Sequence, residues 1–401
     1  MREGPLIRDD FVPIPTRKGL GSSDPSRCNM NAAAWTSPSI TISHLCSTQR
    51  TGLFYIQSKS WASKMSLENR AAFLDGPRQR LRVGPASIGK PNAAEILVKN
   101  HAVAINPIDG ITQDLGLFVQ QWPAILGHDI AGEVVEVGEG VTQFEPGARV
   151  TAHALGLVTG KPEHWGFQAY TVVQAHAAAS IPPSMSYEDA AVIPLAFSTA
   201  VGGLYQDGFL GLRLPQQTGE RTGQTLLVWS GSSSVGSAVI QLAVASGLEV
   251  IATASPRNFD HCKSLGASAV FDYADENVVE RLATRLQSCS VLGAFDAFGT
   301  EESTRKVAEI LSRIGGGFIA TAGQAPEELP NNVRVKQMLA ALVPGTDVGK
   351  ALWKYLPAAL ASGQYKPAPR ANVIGEGLDS IQTGIDRLKQ GVSASKIVVK
   401  L

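Results

Sequence analysis

The chain has 401 residues, 44% of them hydrophobic and 17% charged, with 35 basic residues balancing 35 acidic ones. This is enough for two to three domains with a sizeable core, and a net charge of zero gives no electrostatic footprint for nucleic acid or an anionic membrane surface. No apolar run approaches a membrane span, and Cys28, Cys46, Cys262 and Cys289 form neither a C-x-x-C metal motif nor a disulfide framework, which makes a reducing, cytoplasmic setting the default.

Residues 1–65 are rich in Ser, Pro, Asn and Thr and show no sustained periodicity. They are expected to be disordered or foreign to the native fold, with Met65 an alternative start. Asp9 and Asp10 argue against a mitochondrial presequence, and no apolar core follows the first residues as a secretory signal requires.

From Arg70 the pattern changes. Short strands are expected at 71–74 and 81–83, then a strong one at 95–105 (EILVKNHAVAI). The segment Asn106-Pro107-Ile108-Asp109-Gly110 reads as a turn, and 115–125 is mixed. Gly127-His128-Asp129 leads into a β-rich run at 130–137; further strands are expected at 148–152 and 167–173. Many short strands punctuated by Gly and Pro indicate a compact β-barrel-like domain. Ser186-Tyr187-Glu188-Asp189 resembles a capping box, with a helix running to about Ala191 and resuming after Pro194.

The stretch 225–257 organises the second half. An apolar run at 225–229 stops at the small residues 230–234, an amphipathic helix pattern follows at 235–246, and Gly247 sits where a helix ends. A second apolar run at 248–254 then ends at Ser255-Pro256-Arg257. This is a βαβ unit whose bend carries almost no Cβ bulk and whose helix start offers free N–H groups, so a pyrophosphate fits there. The G-x-G-x-x-G fingerprint is degenerate: Gly231 and Gly236 remain and serines fill the other small positions. An NAD site would place Asp or Glu at the end of the second strand, but Ser255, Arg257 and Asn258 stand there, with no acid before Asp260. A hydroxyl and a guanidinium suit a 2′-phosphate, which points to NADP(H); a solvated loop arginine is the competing reading. Strand-like runs recur at 269–272, 294–298 and 317–322 with helical patterns between them, as in a doubly wound parallel sheet. The tail reads as a helix at 377–388 and a strand at 396–400 that returns to the first domain.

The segments NAAEILVKNHAVAINPIDG, PAILGHDIAGEVVEVGEGV, WGFQAYTVV, IPLAFSTAVGGLY, VWSGSSSVGSAVIQLA, ASPRNFDHCKSLGASAVFDY and SKIVVK resemble the medium-chain dehydrogenase/reductase superfamily. More narrowly, they resemble its zinc-independent fungal enoyl reductase branch, with its trans-acting enoyl reductases and toxin-cluster oxidoreductases. The resemblance covers about residues 66–401, in order. It implies an α/β plus β fold: a chaperonin-10-like β-barrel catalytic domain with an inserted doubly wound Rossmann domain and an active cleft between them. The corresponding divisions are 66–198 for the first catalytic part, 199–345 for the NADP-binding domain and 346–401 for the return.

The resemblance also supplies site expectations. Ser232, Ser233, Ser234 and Val235 line the pyrophosphate. Ser255, Arg257 and Asn258 hold the 2′-phosphate, and Tyr273 lies near the adenine. Phe298, Gly299, Val392 and Ser393 pass close to the cofactor. Asn106 supplies an amide donor near the nicotinamide, with Asp109 beside it; local turn bonding is the alternative for both. Phe197, Ser198 and Thr199 fall in the stretch that contacts substrate and nicotinamide, and Thr199 is the second catalytic candidate, with helix packing as its alternative. Relatives often continue N-P-x-D with an aromatic residue and a lysine, where this chain has Gly110 and Ile111. No metal is expected, because the zinc enzymes' first cysteine is absent near Asn106.

Three functions follow. The first is NADPH-dependent reduction of a C=C bond conjugated to a carbonyl or thioester in fungal secondary metabolism, on a small or carrier-bound acyl substrate, with a polyketide synthase as partner. The second is a quinone or small-enone reductase of detoxification. The third is a catalytically silent NADPH-binding protein. Monomer and homodimer both stay open.

Overall fold

The computed structural model describes residues 68–215 and 220–401, so the expectation for 1–65 lies outside the described residues. The first half opens with strands β1 (Asn69–Leu74), β2 (Arg82–Ala86) and β3 (Glu95–Ala104). Helix α1 (Pro107–Leu115) and strands β4 (Ala124–Ile125), β5 (Asp129–Val137) and β6 (Arg149–His153) follow. Then come α2 (Gly156–Thr159), β7 (Tyr170–Gln174), β8 (Ala178–Ser180), α3 (Tyr187–Ala190) and α4 (Pro194–Tyr205). Strand β3 is buried along most of its length because β5 and β7 both pair with it antiparallel, which explains a hydrophobic run instead of strict alternation.

The segment after β3 is a correction to the sequence reading. Asn-Pro-Ile-Asp-Gly opens α1 instead of making a turn. Pro107 takes the first helical position, and the Asn106 N–H donates to Asp109 Oδ2 at 2.7 Å. Turn and helix start share this chemistry, since both need a fixed proline φ and a carboxylate three residues on. Gly116, at φ 67°, ends the helix.

The second half alternates β9 (Gln224–Trp229), α5 (Ser234–Ala245), β10 (Glu249–Ala254), α6 (Phe259–Ser264), β11 (Ala269–Asp272) and α7 (Val278–Leu286). It continues with β12 (Ser290–Asp296), α8 (Glu301–Arg313), β13 (Gly317–Thr321) and β14 (Val333–Gln337). The strands form one parallel six-stranded sheet in the order β11-β10-β9-β12-β13-β14. Strand order reverses between β9 and β12, and ligands of open parallel sheets bind at such a switch point, beyond the strands' carboxyl ends.

Helix α9 (Asp347–Ser362), β15 (Arg370–Glu376), α10 (Ser380–Lys389) and β16 (Ser395–Lys400) complete the chain. The last strand returns as expected: β16 pairs antiparallel with β3 and parallel with β15. The Rossmann-like sheet is thus inserted into the chain of the β-rich one. Among the described residues no helix is long and apolar enough to cross a membrane.

Helix α4 links the two halves. Every residue from Ala196 to Tyr205 is buried, as fits a helix that is apolar all round. It packs against α5 and α9. Gly203 lets it approach β12: a Cβ there would lie 2.3 Å from the Phe295 ring.

Candidate active site

The switch point holds the small-residue bend. After β9, Ser230 adopts φ 61°, and its N–H donates to Thr253 Oγ1 at 3.0 Å. Ser233 caps α5: its Oγ accepts the Gly236 N–H at 3.0 Å and donates to the Ser230 carbonyl at 2.8 Å. The N–H groups of Ser234 and Val235 have no backbone partner among the described residues, so the helix start faces the crevice with open donors. A Cβ at Gly236 would fall 2.2 Å from the Ser230 carbonyl oxygen, so the serine-rich bend still requires this glycine.

Across the crevice, β12 ends at the buried Asp296. Its Oδ1 accepts the N–H groups of Phe298 and Gly299 at 3.0 and 3.1 Å, while its Oδ2 takes the Ser303 and Thr304 hydroxyls at 2.7 Å each. These bonds hold open a bend on which the Phe298 ring is left 62% exposed. Sequence reasoning passed over Asp296; the signal was an acid closing an apolar strand.

At the end of β10, the Ser255 hydroxyl and the Tyr273 hydroxyl share a hydrogen bond of 2.9 Å. Asn258 Nδ2 donates to Ser232 Oγ at 3.3 Å and to Ser393 Oγ at 3.0 Å, which brings three expected contact residues together from distant parts of the chain. Arg257 is exposed and has no ion-pair partner among the described residues. Val392, in contrast, packs partly into the β-domain core.

The β-rich side contributes a buried polar cluster. Asn106 Nδ2 donates to Asp129 Oδ2 at 2.8 Å, and the Lys396 ammonium donates to Asn106 Oδ1. Lys396 also lies 3.0 Å from Asp129 Oδ2. Asp129 Oδ1 accepts the Leu195 N–H at 2.6 Å, at the start of α4. Further along α4, Ser198 Oγ sits 3.0 Å from His153 Nδ1, and the Thr199 hydroxyl donates to the Leu195 carbonyl at 2.7 Å. Burial, with the neighbouring Asp129 charge adding to it, pushes the Asp109 carboxyl up to about 7. Burial also pushes the His128 and His153 imidazoles down, to about 4 and about 3. Asp109 Oδ1, His128 Nδ1 and His153 Nε2 have no hydrogen-bond partner among the described residues. Phe197 lies apart from this cluster's polar face: its ring is fully buried, 5.4 Å from Trp353 and 5.6 Å from Tyr365.

Residues 92–183 match the alcohol dehydrogenase GroES-like domain family and residues 234–353 the zinc-binding dehydrogenase family. The chain is 43% identical over 342 residues to dehydrogenase azaJ of Aspergillus niger, covering 83% of this chain and 99% of that one. It belongs to the medium-chain dehydrogenase/reductase superfamily. Within the superfamily it sits on the branch of the fungal trans-enoyl reductases. One of these, himH of Aspergillus japonicus, is 43% identical over 341 residues, covering 84% of this chain and 98% of that one. A solved alcohol dehydrogenase superfamily protein from Novosphingobium aromaticivorans shares the fold, with a TM-score of 0.67 at 23% identity over 83% of this chain and 99% of that one.

Members of this oxidoreductase superfamily bind nicotinamide dinucleotides, and the crevice fits one. Its bend has open N–H donors, and its rim has a guanidinium without a carboxylate partner among the described residues. Zinc does not fit. Among the described residues no three His, Cys, Asp or Glu side chains stand close enough together to hold a metal. The Lys396 ammonium, in contact with Asn106 and Asp129, also places positive charge beside His128, where a divalent cation would be repelled. Sequence reasoning missed both Asp129 and Lys396 in this cluster. The signal for Lys396 was a lysine next to the apolar run Ile397-Val398-Val399 at the start of β16.

Proposed function

We propose that the protein is an NADPH-dependent enoyl reductase that reduces a C=C bond conjugated to a carbonyl or thioester, serving fungal secondary metabolism beside a polyketide synthase. The observation that carries this reading is the serine-rich bend at the switch point, with the Arg257 guanidinium at its rim and no acid at the carboxyl end of β10. In this reading Ser232, Ser233, Ser234 and Val235 hold the pyrophosphate, while Ser255, Arg257 and Asn258 hold the 2′-phosphate. Tyr273 lies against the adenine, and Phe298, Gly299, Val392 and Ser393 flank the rest.

The bound cofactor supplies a hydride to the β-carbon of the electron-poor alkene. The chain's own task is to stabilise the negative charge that develops on the conjugated oxygen and to exclude water. Asn106 has one amide N–H engaged with Asp129, leaving its second N–H as the donor for that oxygen. Thr199 has committed its proton to the Leu195 carbonyl, so it offers lone pairs only. These suit an N–H donor on substrate or cofactor and not an oxyanion. The Thr199 proton being so engaged, and Ile111 standing where relatives often have a lysine, are what favour the silent NADPH-binding alternative.

NADPH oxidation with enoyl thioesters, quinones and simple enones separates the readings. Turnover of thioesters well above the others is expected. Preference for quinones would move the protein to the detoxifying class, and tight NADPH binding without any turnover would leave the silent alternative.

A further inference from the structure

Lys396 lies on β16 with 5% of its surface exposed, the one buried cation among the described residues. With Asn106 and Asp129 it closes a ring of three side chains brought from three distant stretches: ammonium to carboxamide oxygen, amide N–H to carboxylate, carboxylate to ammonium. The ring has two structural consequences. An amide turned over would face its N–H groups to the ammonium and its oxygen to the carboxylate, so the ring admits one orientation of Asn106. The carboxylate's other oxygen holds the Leu195 N–H, so the same charge pair anchors the first turn of α4.

Stability does not account for such a pair. Removing two charges from water offsets most of their attraction, and well-packed apolar replacements are often as stable. What the pair supplies here is direction: the orientation of one amide and the placement of one helix, both beside the site.

We propose that Lys396 is a positioning residue for the reduction: it fixes the Asn106 carboxamide with its second N–H available and, through Asp129, moors the helix that carries Ser198 and Thr199. This rests on the function proposed above. Lys396 itself touches neither substrate nor cofactor in this role.

The test compares full-length wild type with Lys396→Met, Lys396→Arg and the double variant Asp129→Asn/Lys396→Met. Four readouts apply: thermal midpoint, emission and Kd of bound NADPH, amide exchange across residues 193–200, and kcat and KM on the wild type's enoyl thioester. Lys396→Met is expected to lose kcat about 50-fold with KM and the NADPH Kd within threefold, and to exchange faster at 193–200. The double variant, with no unpaired charge, is expected to regain the thermal midpoint but not kcat, and Lys396→Arg to recover about tenfold of the loss. A double variant that regains kcat together with stability overturns the proposal, since the lysine would then be structural only. So does Lys396→Met with wild-type kcat and exchange. If Lys396→Met fails to fold, the double variant decides alone. If the wild type turns over no substrate, the function reading fails instead. Unchanged amide exchange and unchanged emission of bound NADPH in the variants then overturn the positioning role independently.

Discussion

Asn258 donates a hydrogen bond to Ser393 at 3.0 Å, and so ties the loop after β10 to the loop before β16. The same amide reaches Ser232 in the bend after β9. One asparagine therefore joins the phosphate bend, the end of the second strand and the returning tail. Asn258→Ala is expected to weaken NADPH binding roughly tenfold and NADH binding about threefold, since it removes a 2′-phosphate contact and also loosens the shared bend. A fluorescence titration with each cofactor checks this, and equal losses for the two would leave Asn258 a tie between loops and remove it from the 2′-phosphate site.

Arg257 should behave differently. It is exposed and has no ion-pair partner among the described residues, so removing it leaves no buried group unsatisfied. Arg257→Ala is expected to raise the NADPH Kd at least tenfold, about what a charge-assisted hydrogen bond contributes, and to leave NADH within twofold. Equal losses for the two cofactors would remove the 2′-phosphate assignment.

The buried acid at Asp109 makes stability depend on pH. Burial holds its carboxyl at about 7 instead of 3.8, so between those values the folded chain keeps a proton that the unfolded chain releases. That contribution is full at low pH and is lost as pH rises through 7, at about 1.4 kcal/mol per pKa unit. His128 and His153 act in the opposite sense. Burial lowers them from 6.5 to about 4 and about 3, so their contribution is present above 6.5 and is lost as pH falls towards those values. Asp109→Asn removes only the first effect. Its thermal midpoint relative to wild type is expected to be several degrees higher at pH 8 than at pH 5. A constant difference across that range would mean that Asp109 does not titrate there.

Phe197 tests the division between core and site. Its ring is fully buried against Trp353 and Tyr365, so Phe197→Ala is expected to lower stability by about 3–5 kcal/mol in chemical denaturation. NADPH affinity should stay within threefold. A variant of unchanged stability with a large rise in substrate KM would return Phe197 to the substrate pocket.

Much of this architecture was legible because its signals are local. The bend 230–234 follows an apolar run and precedes a 3.6-residue pattern, and neighbouring residues suffice to specify strand, turn and helix. The segment 106–110 was misread for the same reason: Asn-Pro-x-Asp satisfies a turn and a helix start equally, and only the burial of the following helix decides between them. Phe197 looked like part of a reactive stretch because a motif records adjacency along the chain and not the direction of a side chain.

By itself the amino-acid sequence determined the βαβ unit, the parallel sheet around it, and the absence of an acid where NAD would need one, because hydrophobic period and residue chemistry act over a few neighbouring positions. Only the tertiary structure decided that Lys396, Asn106 and Asp129 form one ring. Antiparallel pairing of β16 with β3 and of β3 with β5 carries these residues from the two ends of the folded chain to a single point, and no short-range pattern encodes that meeting.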